Sequence, residues 1–320
     1  MKSCSVLVAC KLPDEVEQDI AAHLDADFMA DARSRPLPEL VARLDGRDAL
    51  ILLAMTPVDA DFIAALPASV KTIATYSVGL DHIDLAAARA RGLAVLHTPD
   101  VLTDAVAETA LLLLLGAARR ATESIDLIRS GAWQGWSPTQ LVGVELTGKT
   151  LGILGMGRIG QGIAERARAF GMQITYHNRK PLAPELAKGA VHQADAMAFL
   201  GAIDALAIAC PLTEETRGFL NAERIAAMRP GALVVNIARG PVVDDDALIA
   251  ALESGHVRAA GLDVFTNEPK LDPRYLDLPN AFLLPHIGSS TVESRRAMGR
   301  TLIDGLTALA EGRDPPNRVA

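Results

Sequence analysis

Cysteine and positive charge are both scarce in this 320-residue sequence. The three cysteines, Cys4, Cys10 and Cys210, show no CxxC spacing, which excludes a disulfide framework and a cysteine-based zinc site. This usage favours a reducing compartment, and we expect a cytoplasmic protein. With 31 Lys and Arg against 39 Asp and Glu, the net charge is −8. That balance excludes the basic face of a nucleic-acid-binding protein and fits poorly with an anionic membrane surface.

Long hydrophobic runs are also missing. The most apolar stretch, residues 105–118, contains Glu108 and Thr109 and is shorter than the roughly 20 apolar residues that a membrane-spanning helix needs. We therefore predict a buried helix there and no membrane partner. The N-terminal run 4–10 is too short for a signal peptide and is closed by Lys11, so we predict a buried first strand.

Short apolar runs alternate with helical patterns along the whole chain, and half of all residues are hydrophobic. This alternation is typical of βαβ units, whose parallel sheets are covered on both faces. At about 100–200 residues per domain, the length indicates two domains. The predicted strands of the first series are 6–9, 49–54, 70–76 and 93–96, and those of the second are 150–154, 173–176, 205–209, 233–236, 259–263 and 282–284.

Three segments lie outside these two series of strands. A long apolar helix is predicted over residues 103–130, followed by an irregular arm over 131–143 that contains Trp133 and Trp136. A closing helix is predicted over 292–311. The sequence therefore predicts an α/β protein with two doubly wound parallel-sheet domains, the second inserted within the first.

A glycine-rich turn follows the predicted strand 150–154 and opens a helical pattern. Gly155, Gly157 and Gly160 form the GxGxxG spacing in the strand–turn–helix context that makes this pattern specific. The first glycine allows the tight turn, the second lets the backbone approach a pyrophosphate, and the third lets the helix pack on the strand. The free N–H groups of the helix N-terminus attract the phosphates. The turn predicts a dinucleotide site.

The next strand ends without the acidic residue that would bind the adenosine ribose of NAD. Instead Asn178 is followed by Arg179 and Lys180. An arginine fork and a lysine charge would both bind a 2′-phosphate. We therefore favour NADP(H) as the cofactor, with NAD(H) possible. The alternative is that these residues form an ordinary solvated basic loop.

Three further segments each present one reactive side chain just after a predicted strand. They carry Arg239, Glu268 and His286. In an open α/β sheet, ligands bind at the carboxyl ends of the strands. An arginine can clamp a carboxylate, and a glutamate can orient a histidine that transfers a proton near neutral pH. The set predicts catalysis on a small carboxylate.

This combination resembles the D-2-hydroxyacid dehydrogenase family over nearly the whole chain. The matching segments are 76–84 (YSVGLDHID), 236–248 (NIARGPVVDDDAL), 261–269 (GLDVFTNEP) and 317–319 (NRV). Within the family the sequence is most similar to the glyoxylate/hydroxypyruvate reductases. The resemblance implies a Rossmann cofactor domain at 98–286, inserted into a flavodoxin-like substrate domain formed by 1–97 and 287–320.

The resemblance also implies roles for individual residues. Hydride would pass from the nicotinamide to a 2-oxoacid, His286 would donate the proton, and Glu268 would support the imidazolium. Arg239 and the backbone N–H groups of Val78 and Gly79 would bind the substrate carboxylate. Asp263 would hold the nicotinamide carboxamide, and Trp136 would reach into the neighbouring subunit of a homodimer. The remaining cofactor contacts would come from Arg158, Ile159, Pro211, Thr216, Ile237, Ala238, Arg239 and Gly288.

Several alternatives stay open at this point. The alternative activities are those of a 2-ketogluconate reductase or of another D-2-hydroxyacid dehydrogenase, such as 3-phosphoglycerate dehydrogenase. A binding protein that senses NAD(P), like the corepressors of this fold, is the alternative that is not an enzyme. We predict no metal site, because Asp244, Asp245 and Asp246 stand at a helix start, where they stabilise its N–H groups. We expect ordinary structural or surface positions for the other histidines, which are His23, His82, His97, His177, His192 and His256.

Overall fold

The chain divides into two compact units, each built on one parallel sheet. The computed structural model describes residues 4–30 and 37–320. Unit 1 comprises Met1–Leu102 and Ser289–Ala320, and unit 2 comprises Thr103–Gly288. The sequence predicted changes of domain after residues 97 and 286, whereas the units divide after Leu102 and Gly288.

The described residues form twelve β-strands. They are β1 Ser5–Val8, β2 Asp25–Phe28, β3 Ala49–Leu52, β4 Thr72–Thr75, β5 Ala94–Leu96, β6 Thr150–Leu154, β7 Gln173–His177, β8 Val191–His192, β9 Ala205–Ile208, β10 Ala232–Asn236, β11 Val257–Leu262 and β12 Ala281–Leu283.

Twelve α-helices occur in the same part of the chain. They are α1 Asp14–His23, α2 Leu37–Arg43, α3 Ala60–Ala65, α4 Leu85–Ala90, α5 Thr103–Ala118, α6 Ala121–Arg129, α7 Arg158–Ala169, α8 Pro184–Ala187, α9 Ala196–Gly201, α10 Ala222–Ala226, α11 Asp245–Ser254 and α12 Val292–Ala310. Two 3₁₀ turns, Gly240–Val242 and Pro273–Asp277, complete the described elements.

The sheet of unit 1 has five parallel strands in the order β2-β1-β3-β4-β5. This is the flavodoxin-like order of a doubly wound sheet. Strands β3 and β4 are buried at every position, as expected for central parallel strands with both faces covered. Strand β2 was not predicted, because its sequence DADF is polar and it lies at the exposed edge.

The sheet of unit 2 has seven parallel strands in the order β12-β11-β10-β9-β6-β7-β8. The order reverses between β6 and β9, which is the crevice where Rossmann folds bind dinucleotides. Helix α5 crosses this sheet very closely, since a Cβ added at Gly261 of β11 would lie 2.7 Å from the Leu113 carbonyl oxygen. The predicted architecture, a Rossmann domain inserted into a flavodoxin-like domain, is confirmed.

The single helix predicted over residues 103–130 is wrong. Helix α5 ends at Ala118, and α6 begins at Ala121. Between them Arg120 adopts a left-handed backbone conformation with φ of 56°. Such a residue interrupts the helical hydrogen-bond ladder. The carbonyl of Ala118 accepts a bond from the Val144 N–H at 2.9 Å instead, so the arm that follows α6 returns to the end of α5.

The C-terminal residues extend the sheet of unit 1. After α12 the chain pairs antiparallel with β5, where the Val319 N–H donates to the Val95 carbonyl at 2.9 Å. Asn317 is 3% exposed, and its Nδ2 donates to the carbonyls of His97 and Thr301 at 3.0 and 3.2 Å. This buried amide therefore fixes the chain at the carboxyl end of β5.

Candidate active site

The glycine turn after β6 leaves an open approach to the backbone. Gly155 has a φ of +94°, and a Cβ there would lie 2.5 Å from the Cys210 nitrogen. A Cβ at Gly160 would lie 2.3 Å from the Gly155 oxygen. Neither position can carry a side chain without displacing backbone atoms. At Gly157, by contrast, no atom lies within 4 Å of the position that a Cβ would occupy.

These residues fit a dinucleotide pyrophosphate. Helix α7 begins at Arg158, directly after Gly157, and no side chain caps its N-terminus. Its first N–H groups therefore keep their capacity to bind an anion, and the helix dipole favours negative charge there. The space beside Gly157 lets a phosphate approach that end of the helix. Arg158 and Ile159, both named from the sequence, stand in the first turn of α7.

The end of β7 presents cations rather than a carboxylate. Asn178 is held by the turn itself, since its Oδ1 accepts the Met156 N–H at 2.7 Å. Arg179 and Lys180 follow it and are exposed. The positive charge of Arg179 contributes to the lowered pKa of Glu215, although the main cause is the hydrogen bond from the Thr213 hydroxyl.

Other residues predicted to contact the cofactor lie after neighbouring strands. Thr216 and Pro211 meet in the loop after β9, where the threonine hydroxyl donates to the Pro211 carbonyl at 2.7 Å. Ile237 and Ala238 follow β10 directly and are each 8% exposed. All four belong to loops that follow strands of the unit 2 sheet.

His286 and Glu268 form a hydrogen-bonded pair. The Nδ1 atom of His286 lies 2.7 Å from Glu268 Oε2, and the other carboxylate oxygen accepts the Phe265 N–H at 2.8 Å. A carboxylate can only accept, so Nδ1 carries the proton. The imidazole side chain is 43% exposed. Its Nε2 atom is thereby left as the position for proton transfer to a ligand.

Glu268 is charged in this arrangement. Burial raises its pKa, but the hydrogen bond and charge of His286, the Phe265 N–H and, to the smallest extent, the positive charge of Arg239 together outweigh that effect, so the pKa lies below its ordinary value. Arg239 follows β10, and its Nη1 donates to the Ala238 carbonyl at 2.8 Å. Arg239, Glu268 and His286, which the sequence placed after three separate strands, are thus coupled through Glu268.

Asp263 has a positioning role that the sequence did not indicate. Its two carboxylate oxygens accept the N–H groups of Ile287 and Gly288 at 2.7 and 2.8 Å. His286 itself has a φ of 55°, a conformation that costs a residue with a Cβ about 1–2 kcal/mol. Asp263 is 1% exposed; burial raises its pKa, and the two N–H groups partly oppose that rise. The buried carboxylate therefore holds the turn that carries His286.

Asn236 and Gly240 hold the Arg239 loop, and neither was named as a site residue from the sequence. Asn236 is 1% exposed; it accepts the Ala238 N–H at 3.0 Å and donates to the Arg239 carbonyl at 2.9 Å. A Cβ at Gly240 would lie 2.0 Å from the Phe265 carbonyl carbon. The loops that carry Arg239 and Glu268 are therefore in backbone contact. A buried asparagine at a strand end was the available sequence signal.

The remaining predicted site residues belong to two other loops of the chain. Val78 and Gly79 belong to unit 1, in the loop after β4. Trp136 lies in the arm after α6, and its side chain is 83% exposed.

The described ranges 4–30 and 37–320 were searched for membrane-spanning helices and for clusters of metal ligands. Within them no helix is both long and apolar enough to cross a bilayer. Nor do these residues contain a group of three His, Cys, Asp or Glu side chains that could hold a metal ion. Asp244 instead caps α11 by accepting the Ala247 N–H at 3.1 Å, Asp245 accepts the Tyr275 hydroxyl, and Asp246 pairs with Arg274.

Comparison with known proteins identifies the class to which this fold and site belong. Residues 111–288 match the family model for the D-isomer specific 2-hydroxyacid dehydrogenase NAD binding domain. Glyoxylate reductase of Thermococcus litoralis is 40% identical, over 98% of this chain and 96% of that protein. Glycerate dehydrogenase of Hyphomicrobium methylovorum is 39% identical, over 98% of both chains.

A solved structure extends the similarity to three dimensions. It is an NADPH-dependent glyoxylate/hydroxypyruvate reductase of Sinorhizobium meliloti, crystallised with NADP and malonate. It is 34% identical, covers 98% of this chain and 96% of its own, and superposes with a TM-score of 0.88. The chain belongs to the D-isomer specific 2-hydroxyacid dehydrogenase family.

The lowered pKa of Glu268 predicts a pH-dependent contribution to stability. A carboxyl whose pKa is lower in the folded than in the unfolded state stabilises the fold above its unfolded pKa. That contribution is lost as the pH falls through the folded-state pKa. We therefore expect Glu268→Gln to reduce the free energy of unfolding most above about pH 5, and less at lower pH.

The measurement is denaturant unfolding of wild type and variant from pH 7 down to pH 3.5. Glu223→Gln, at an exposed position of α10, is the matched control. A wild-type-to-variant difference that stays constant over this range would contradict the pairing of Glu268 with His286.

Proposed function

We propose that this protein is an NADPH-preferring reductase that converts small 2-oxoacids, glyoxylate and hydroxypyruvate, into 2-hydroxyacids. The observation that carries the proposal is the 2.7 Å contact between His286 and Glu268, with Arg239 acting on the same carboxylate. The relatives named glyoxylate reductase and glyoxylate/hydroxypyruvate reductase support this substrate class. In this proposal unit 2 binds the cofactor and unit 1 contributes to substrate binding.

The chemistry needs one proton and one hydride at the C2 carbonyl. A bound nicotinamide dinucleotide supplies the hydride. His286 gives the proton from Nε2 to the oxygen that becomes the hydroxyl, while Glu268 stabilises the positive charge of the imidazolium. Arg239 binds the substrate carboxylate, and the N–H groups of Val78 and Gly79 bind it as well.

Oxidation of NADPH and of NADH against a panel of oxoacids tests the proposal. The panel contains glyoxylate, hydroxypyruvate, pyruvate, phenylpyruvate and 2-ketogluconate. We expect the highest kcat/KM for NADPH with glyoxylate or hydroxypyruvate. Tight NADPH binding without turnover of any oxoacid would instead favour a protein that senses the nucleotide.

Replacing the proton donor separates catalysis from binding. We expect His286→Asn to lower kcat by about 100-fold or more, because the substrate oxygen loses its general acid. Affinity for NADPH should stay close to that of wild type. His256→Asn is the matched control, since His256 also lies in unit 2 and its ring Nε2 lies 2.9 Å from the Ile225 carbonyl oxygen. A His286→Asn enzyme with near-normal turnover would refute the assignment.

The preference for NADPH rests on the residues after β7. Arg179 and Lys180 are exposed there, no carboxylate follows the strand, and Asn178 Oδ1 is already used by the glycine turn. A 2′-phosphate beside the two cations would form charge-assisted hydrogen bonds. Glu215, whose pKa is lowered in part by the positive charge of Arg179, would oppose phosphate binding.

The double variant Arg179→Ala/Lys180→Ala is expected to raise the KM for NADPH by roughly 10- to 100-fold, because two bonds to a charged phosphate are lost. The KM for NADH should change little. Lys188→Ala, which removes an exposed cation elsewhere in unit 2, serves as the control. An unchanged ratio of NADPH to NADH efficiency would show that the two cations form only a solvated loop.

We also propose that the protein is a homodimer. Helix α6 has no buried residue, although it carries Ile125 and Ile128, which are 43% and 59% exposed. Trp133 and Trp136 in the arm are also exposed. These four side chains, which we call the arm–helix patch, fit a surface covered by a second copy of the chain. Trp136 would then enter the pocket of that second copy.

A charge in the arm–helix patch should separate the subunits. We expect Ile128→Glu to shift the mass measured by light scattering from dimer to monomer, because a buried unpaired carboxylate opposes association. Leu186→Glu, at an apolar side chain of α8 that is 49% exposed, is the control and should leave the mass unchanged. A wild-type chain that is monomeric at micromolar concentration would disprove the dimer.

A cytoplasmic location is the remaining part of the proposal. Cys4, Cys10 and Cys210 are free and buried, and burial raises their thiol pKa values to about 11, 12 and 11. Thiols in that state are poor nucleophiles and do not form a disulfide framework. This usage supports a compartment that keeps cysteines reduced.

A further inference from the structure

In the loop after β4, three consecutive backbone carbonyl groups accept hydrogen bonds from other residues of unit 1. The Ser77 carbonyl accepts the Thr98 N–H at 2.9 Å. The Val78 carbonyl accepts from His97 Nδ1 at 3.1 Å, and the Gly79 carbonyl accepts from the Ser77 hydroxyl at 2.9 Å. Every carbonyl of residues 77–79 is therefore held by a donor from the same unit.

This arrangement sets the direction of the N–H groups between those carbonyls. The peptide bonds here are trans, so each N–H points opposite to the carbonyl of its own peptide group. With the Ser77 and Val78 carbonyls held inward, the N–H groups of Val78 and Gly79 point outward. Neither donates a hydrogen bond to any residue in the described part of the chain. Two adjacent outward N–H groups form an anion-binding concavity, which we call the 77–79 cradle.

One side of the 77–79 cradle is held by a hydrogen-bond chain of defined direction. The Ser77 hydroxyl gives its proton to Gly79, so it accepts from Thr75 Oγ1 at 2.8 Å. Thr75 has then used its only proton and accepts from His82 Nε2 at 3.0 Å. The side chain of Thr75 is fully buried, which favours a single arrangement.

The other side of the 77–79 cradle is held by His97. A carbonyl can only accept, so Nδ1 of His97 carries a proton. Its backbone is fixed from both directions, because its N–H donates to the Asn317 carbonyl at 3.1 Å and its carbonyl accepts from Asn317 Nδ2 at 3.0 Å. The C-terminal segment thus sets the position from which His97 reaches Val78.

We propose that His97 is a positioning residue for the substrate carboxylate. Its Nδ1–H holds the peptide between Val78 and Gly79 so that the Gly79 N–H faces the ligand, and it polarises that peptide, which strengthens the N–H as a donor. This inference rests on the proposed function, in which the 77–79 cradle binds the carboxylate of a 2-oxoacid. It assigns a specific role to a histidine that the sequence placed among ordinary structural or surface positions.

Two substitutions of His97 separate the hydrogen bond from simple packing. His97→Leu removes the donor and keeps an apolar side chain of similar size. His97→Asn retains a donor, because Nδ2 of asparagine stands at the same distance along the side chain as Nδ1 of histidine. His23→Leu is the matched control: His23 Nδ1 also lies 2.8 Å from a backbone carbonyl, that of Asp19, but on the exposed end of α1. Ser77→Ala removes the donor to Gly79 and tests the 77–79 cradle from its other side.

Oxalate, a dicarboxylate that cannot be reduced here, is the binding probe. It is titrated by calorimetry into each variant in the presence of NADP⁺, and KM and kcat for glyoxylate are measured separately. We expect His97→Leu to weaken oxalate binding and raise the KM by roughly 10-fold or more, with a smaller change in kcat, because an N–H bond to a charged group is misdirected. His97→Asn and His23→Leu should remain within about 3-fold of wild type, and NADPH affinity should be unchanged throughout.

The outcomes separate this inference from the proposed function. Equal oxalate affinity in wild type and His97→Leu would overturn it, as would a wild type that does not bind oxalate at all. If wild type binds oxalate but reduces no 2-oxoacid, the proposed function fails, and the oxalate series alone decides the role of His97. If His97→Leu does not fold, Ser77→Ala and His97→Asn decide it: Ser77→Ala with wild-type oxalate affinity would overturn the 77–79 cradle.

Discussion

Hydrogen bonding between parallel strands is the constraint on which the rest of this structure depends. Parallel pairing sends every strand of a sheet in the same direction, so the loops after the strands all emerge at one edge. In unit 2 that edge collects the glycine turn after β6, the cations after β7 and the loops of Arg239, Glu268 and His286. Residues that are far apart in sequence, such as Gly155 and Cys210 or Gly240 and Phe265, come into contact because their strands belong to the same sheet.

Buried polar side chains then give those loops one conformation. Asn236 and Asp263 are each 1% exposed, and their side-chain partners are backbone groups of the loops that carry Arg239 and His286. Leaving a buried polar group of this kind without a hydrogen-bond partner costs free energy. It therefore favours the one loop arrangement in which all of its hydrogen bonds are formed. The hydrogen bonds of Asp263 to the residues after His286 stabilise the left-handed backbone conformation of His286. The geometry of the Arg239 and His286 loops therefore depends on two buried side chains.

In the proposed function, anion recognition in both units would use backbone N–H groups together with positive side chains. The glycine turn offers the N-terminus of α7, and the loop after β4 offers the N–H groups of Val78 and Gly79. The reason is the same in both: glycine or inward-facing carbonyls leave N–H groups directed outward, and these carry partial positive charge at a fixed position. A protein with a net charge of −8 can therefore bind small anions without a basic surface.

The sequence alone determined the fold class, the glycine turn and the three reactive side chains, because each depends on local patterns: strand-length apolar runs, glycines at fixed spacing, and polar residues directly after a strand. It did not determine the break at Arg120, the edge strand β2 or the hydrogen-bond partners of Asp263 and His97. Those depend on partners that are distant in the chain, such as Val144 for the Ala118 carbonyl and Asn317 for His97. Only tertiary structure decides which buried donor meets which carbonyl, because a hydrogen bond has a direction and a length that residue order does not contain.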